Sequence, residues 1–237
     1  MFYNPFIFYD PTYFLVLIGV VLSLLASARV KSTFNKYSKM RNSRGMTGAQ
    51  AAEQVLHGAG IYDVRIEHVS GNLTDHYDPR SKVLRLSDSV YGQTSVAAVG
   101  VAAHECGHAI QHAKGYGPLK FRSVLVPVAN FGAKIAWPLI LIGLLINSES
   151  SWFILQAGIL AFSLAVLFQI VTLPVEFNAS GRAIRILADT GMMFGEEIVA
   201  AKRVLSAAAL TYVASAASSV LQLLRLVLLT GGRRRND

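Results

Sequence analysis

The stretch His104-Glu105-Cys106-Gly107-His108 constrains this chain more than any other. It lies within residues 95–113 (SVAAVGVAAHECGHAIQHA), an Ala- and Val-rich run without proline, and this predicts a helix. Positions i and i+4 of a helix share one face, so two imidazoles there can grip a single zinc ion. Glu105 lies to one side, where it can take a proton from a zinc-bound water. The residues ahead of the motif are small and apolar, as a buried helix requires, and Gly107 permits another backbone to come close. A purely structural pair of histidines is the competing reading.

A hydrolytic zinc site takes three protein ligands and leaves a fourth position for water. His112 continues the i+4 series, but each step drifts by about 40° around the helix. That places it off the face of His104, beside the site or on the surface. A third histidine of the metzincin kind would fall at Lys114, which excludes that class. An acid on a later helix remains. Glu176 is the best placed, because it follows a long apolar segment and opens a new helix-like run, LPVEFNASGRA at 173–183. Asp189, Glu196 and Glu197 are its competitors.

HECGHAIQH followed by PVEFNASGRA resembles the neutral zinc metallopeptidases of the YugP type, a family of bacterial membrane proteins. The likeness extends through LTDHYDPRSKVLRLSDSVY before the motif and AALTYVA after it. More distantly the chain is similar to the HtpX-like and CAAX prenyl membrane proteases, which carry a ligand Glu in an E-x-x-x-D pattern. Glu176 matches that Glu, but Ser180 stands where those relatives have Asp, so Ser180 or Asn178 is expected to substitute for it. The resemblance implies an integral membrane, zincin-like (gluzincin) metalloprotease, mainly α with a small β-hairpin or sheet and three to four transmembrane helices. It implies one zinc ion on His104, His108 and Glu176, with Glu105 as catalytic base and a peptide or membrane protein as substrate. Tyr212 and His112 are candidates for stabilising the oxyanion.

The 15% charged and 53% hydrophobic fractions suit an integral membrane protein. The net charge of +8 gathers beside apolar segments, which favours anionic lipid over nucleic acid as a partner. Cys106 is the single cysteine, so no internal disulfide can form, and it reads as small buried filler.

Residues 1–28 are expected to form an N-terminal transmembrane anchor. Its aromatic start lacks the basic residues of a cleaved signal peptide. Residues 29–122 form the protease part. Six Lys and Arg between 29 and 44, with no acid, mark it as cytoplasmic. Within it, 47–58 reads as a helix started by a Thr47/Gln50 capping box and 62–87 as short strands. Val83, Leu84, Arg85 and Leu86 are expected to form an edge strand that pairs with an extended substrate. His57 is not expected to bind metal, and His76 is a weaker candidate for substrate contact. Residues 123–173 form a transmembrane hairpin, with Asn130, Lys134 and Pro138 turned to protein or water. Residues 174–203 are the helix with the third ligand. Residues 204–237 are an apolar helix, either a fourth span or a segment lying along the site, ending in a basic tail. The alternatives to a protease are an inactive membrane scaffold of the same fold, a di-iron desaturase, and a membrane-surface or nucleic-acid binder that rests on charge alone. The desaturase needs more His-rich boxes than six scattered histidines supply.

Overall fold

The computed structural model describes residues 11–146 and 150–231. The chain runs through α1 (Tyr13–Tyr37), α2 (Gly48–Gly58), β1 (Arg65–Val69), β2 (His76–Asp78), β3 (Val83–Ser87), α3 (Val96–Ala113), α4 (Gly117–Leu145), α5 (Ser150–Asp189) and α6 (Glu196–Gly231). It divides into two compact units. One comprises residues 1–25, 122–171 and 212–237, the other 26–121 and 172–211.

The first unit is apolar. The helices long and apolar enough to cross a membrane are α1, α4, α5 and α6, so residues 204–231 belong to a fourth candidate span. Small residues let these helices touch. A Cβ on Gly132 would lie 2.6 Å from the Ala161 carbonyl oxygen, where α4 meets α5. Between α1 and α6, the Ser218 hydroxyl donates to the Gly19 carbonyl at 2.8 Å and lies 3.0 Å from Ser23 Oγ. Asn130 and Lys134 are on the exposed side of α4, while Ala129, Gly132 and Ala136 are buried. Residues 1–10 and 232–237, which hold the aromatic start and the basic tail, lie outside the described residues.

The second unit packs a three-stranded sheet and α2 against α3 and the polar parts of α5 and α6. Its core joins Val55 and Leu56 of α2 to Leu84 and Leu86 of β3. Ala98, Ala102 and Cys106 of α3, with Leu187 and Ala201, complete it. Thr47 and Gln50 start α2 with reciprocal side-chain bonds, as the capping box predicts. Ser95 caps α3 by accepting from the Ala98 amide at 3.1 Å.

Two expectations are corrected here. The strand order is β1-β3-β2, with β1 parallel and β2 antiparallel to β3. Val83, Leu84, Arg85 and Leu86 therefore form the central strand, not an edge. Val83, Leu84 and Leu86 are fully buried, and Arg85 is held by Glu67 and Asp78. Alternation in sequence tells which face a residue takes but not which strands flank it. The free edge next to α3 belongs to β2, a strand of three residues.

The second correction concerns α5 and α6. Both run unbroken through the segment boundaries expected after 173 and 203, so Glu176 opens no new helix. Pro174 sits inside α5. A proline removes one helical hydrogen bond, and a helix this long absorbs that loss. The compact units part within these helices, at 171/172 and 211/212.

Candidate metal centre

The site is built where α3 crosses the polar part of α5. A Cβ on Gly107 would meet the Ala179 carbonyl oxygen at 2.7 Å and the Ala179 Cα at 3.1 Å. The glycine thus lets two backbones touch at the motif itself, as the sequence suggested. Ala179 lies between Glu176 and Ser180, so this crossing sets both residues against the histidine face of α3.

Glu176 Oε2 lies 3.4 Å from His104 Nε2 and 3.5 Å from His108 Nε2. The ligand atoms of these three residues all fall within 4.8 Å of one another, and no other such group occurs among the described residues. Donors bound at about 2.0–2.1 Å to one tetrahedral ion stand about 3.4 Å apart. Two imidazoles, one carboxylate and this spacing fit zinc. Glu176 is only 2% exposed, and Glu105, one residue after His104, is buried as well.

The other ring nitrogens are also engaged. His108 Nδ1 is 3.1 Å from Gln111 Oε1. The Gln111 amide nitrogen donates to the Val175 carbonyl at 2.8 Å and to Asn178 Oδ1 at 3.0 Å. Asn178 Oδ1 also accepts from Arg182 Nε at 2.7 Å. Carbonyl oxygens only accept, so Gln111 must turn its own oxygen to His108. Nδ1 of His108 then carries the proton and Nε2 keeps its lone pair for a metal. His104 Nδ1 lies 3.1 Å from Ser180 Oγ, which can accept its proton in the same way. Burial pushes the His108 pKa down, but the carboxylates of Glu176 and Glu105 and the bond to Gln111 outweigh it, so the pKa lies above the ordinary histidine value.

Sequence reasoning named Ser180 and Asn178 but missed Gln111. The available signal was spacing: Gln111 follows His108 by three residues, on the helix face that carries both histidines. His112 is exposed and pairs with the Tyr77 hydroxyl of β2 at 2.9 Å. Tyr212 begins the last segment of the apolar unit. The competing acids lie elsewhere. Glu197 accepts from the Ser43 amide and hydroxyl, Glu196 bears on Arg203, and Asp189 is exposed at the end of α5. His57 stacks on Tyr62, and His76 contacts the Thr74 carbonyl.

A family model described as "Putative neutral zinc metallopeptidase" matches residues 12–231. The chain is also similar to a Bacillus subtilis (strain 168) protein called "Putative membrane protease YugP". The two are 48% identical over 224 residues, which cover 94% of this chain and 98% of that one. No solved structure gives a significant match.

Proposed function

The chain belongs to the neutral zinc metallopeptidase family, and from that premise we propose that it is a membrane-embedded, zinc-dependent endopeptidase. The observation that carries the reading is the meeting of His104 Nε2, His108 Nε2 and Glu176 Oε2 beside a buried Glu105. These three residues would hold the ion. Zinc bound there supplies a Lewis acid for the scissile carbonyl and makes water nucleophilic near neutral pH.

The protein's own groups do the rest. Glu105 accepts the proton of the attacking water and passes it to the departing amine. Gln111 and Ser180 hold the two imidazoles in the tautomer that leaves Nε2 free. The peptide lies in extended form along the outer edge of β2, the free edge next to α3. The basic run of 29–44 supports a site on the cytoplasmic side, next to anionic lipid. The charge is accounted for by membrane contact, with no role for nucleic acid.

Zinc content and hydrolysis of a test peptide, measured together, test the assignment. His104→Ala loses zinc and activity. Glu105→Gln keeps zinc and loses activity. Cleavage by Glu105→Gln at the parent rate removes Glu105 from the chemistry. A parent chain that binds no zinc leaves an inactive scaffold as the better description.

A further inference from the structure

The polar end of α1 and the first turns of α6 enclose an open groove of about 560 Å³. Arg29 and Lys36 line it from α1, and Lys202 and Arg203 from α6. Ser32 and Ser206 add hydroxyls. Such a concentration of like charge repels itself unless an anion sits among it.

The acids nearby do not balance it. α1 contains no Asp or Glu, and α6 contains only Glu196 and Glu197. Glu197 is committed to the Ser43 amide and hydroxyl and the Phe194 amide. Glu196 alone bears on the groove, through Arg203. Tyr37 gathers the cations at the polar end. Its hydroxyl accepts from Arg203 Nη1 at 2.9 Å, and the Lys36 ammonium lies 5.4 Å from its ring centroid.

The groove also has a direction. Ala207 and Leu210 line it just before α6 passes into its apolar portion at 212, and Arg29 directly follows the apolar run of α1. Lys36, Lys202 and Arg203 gather at one end, and the end nearer the spans carries Arg29 together with the apolar Ala207 and Leu210, which matches a phosphate joined to an acyl chain. A free phosphate makes no use of the apolar end.

We infer that this groove binds the phosphodiester headgroup of one anionic membrane lipid, with its phosphate among Lys36, Lys202 and Arg203 and its acyl chain leaving past Leu210. The occupancy is independent of the metal centre.

Native mass spectrometry of the full-length protein in detergent, titrated with phosphatidylglycerol or phosphatidylcholine, tests the site. The parent retains one phosphatidylglycerol in preference to phosphatidylcholine, and glycerophosphate does not displace it. With about 1 kcal/mol per basic residue near a lipid phosphate, Lys36→Gln/Lys202→Gln weakens phosphatidylglycerol binding by about thirtyfold. This pair leaves the Arg203–Tyr37 bond in place, whereas Arg203→Gln also loosens the contact between α1 and α6. The control Arg80→Gln/Lys114→Gln removes the same charge from exposed positions outside the groove and leaves binding unchanged. Equal weakening by the control reduces the effect to overall charge and overturns the site. Equal retention of phosphatidylcholine removes headgroup recognition. Displacement of the lipid by equimolar glycerophosphate turns it into a small-anion site.

Discussion

Gln111 decides which nitrogen of His108 carries the proton, leaving Nε2 turned to Glu176, and it does so because the Val175 carbonyl can only accept. Ser180 serves His104 with a neutral hydroxyl, where the E-x-x-x-D pattern weighed in the sequence would place a carboxylate. Such supports of a ligating imidazole typically account for about 10–100-fold in metal affinity. Gln111→Leu and Ser180→Ala should each weaken zinc binding by about that much, and Ser180→Asp should recover it. On the proposed ligand set, Glu176→Gln should release zinc under chelation that the parent resists, while Asp189→Asn and Glu196→Gln hold it. Chelator competition on the purified variants checks the whole set; zinc retained by Glu176→Gln but lost from Asp189→Asn or Glu196→Gln moves the ligand. The histidine pair was legible because a helix converts spacing directly into geometry. Gln111 was harder to read: its i+3 spacing from His108 hints at contact, but its orientation is set by the Val175 carbonyl and Asn178 on another helix, which spacing along α3 does not record.

The crossing of α3 and α5 depends on the absence of one methyl group. Gly107→Ala would drive Cβ into the Ala179 backbone at 2.7–3.2 Å, and neither main chain can yield cheaply. Overpacking of this kind costs about 1–3 kcal/mol, and it moves Glu176 away from the histidines. Gly181, one turn along α5, is exposed, and its added Cβ meets nothing within 4 Å. Gly181→Ala should stabilise by about 0.5–1 kcal/mol through helix propensity. Thermal unfolding in detergent should therefore show shifts of opposite sign for two glycines inside helices of the same site. The sequence revealed Gly107 as a place of close approach because it sits within the motif. It concealed the strand order, since three residues at 76–78 are too few to show a period, and so β3 was expected at an edge that β2 occupies.

Charge bias along the whole chain sets the expected sidedness. Ser81 is exposed in the turn before β3, so a cysteine there reports on the compartment around the site-bearing unit. Cys106 does not interfere. It is fully buried against the Ala52 carbonyl, and burial pushes its thiol pKa well up, so little reactive thiolate forms. Ser81→Cys should resist an impermeant maleimide in intact cells and react after permeabilisation, with the parent silent in both. Labelling of intact cells inverts the topology. Three candidate spans were legible from composition, while the last apolar helix stays open between a span and a segment along the site. Their continuity into the site was not legible, because Pro174 and a change of composition look like a helix end, whereas neighbouring helices can supply what a proline removes.

A ribosome completes His104 and His108 before it has made either arm of the α4–α5 hairpin, and it reaches Glu176 only after most of α5. Until then the nascent chain offers the two imidazoles without Glu176, the carboxylate that meets both Nε2 atoms. A competent centre therefore arises only once the hairpin exists to be inserted. Residue order along the chain thus delays a complete His/His/Glu cluster until both arms of the hairpin have been made.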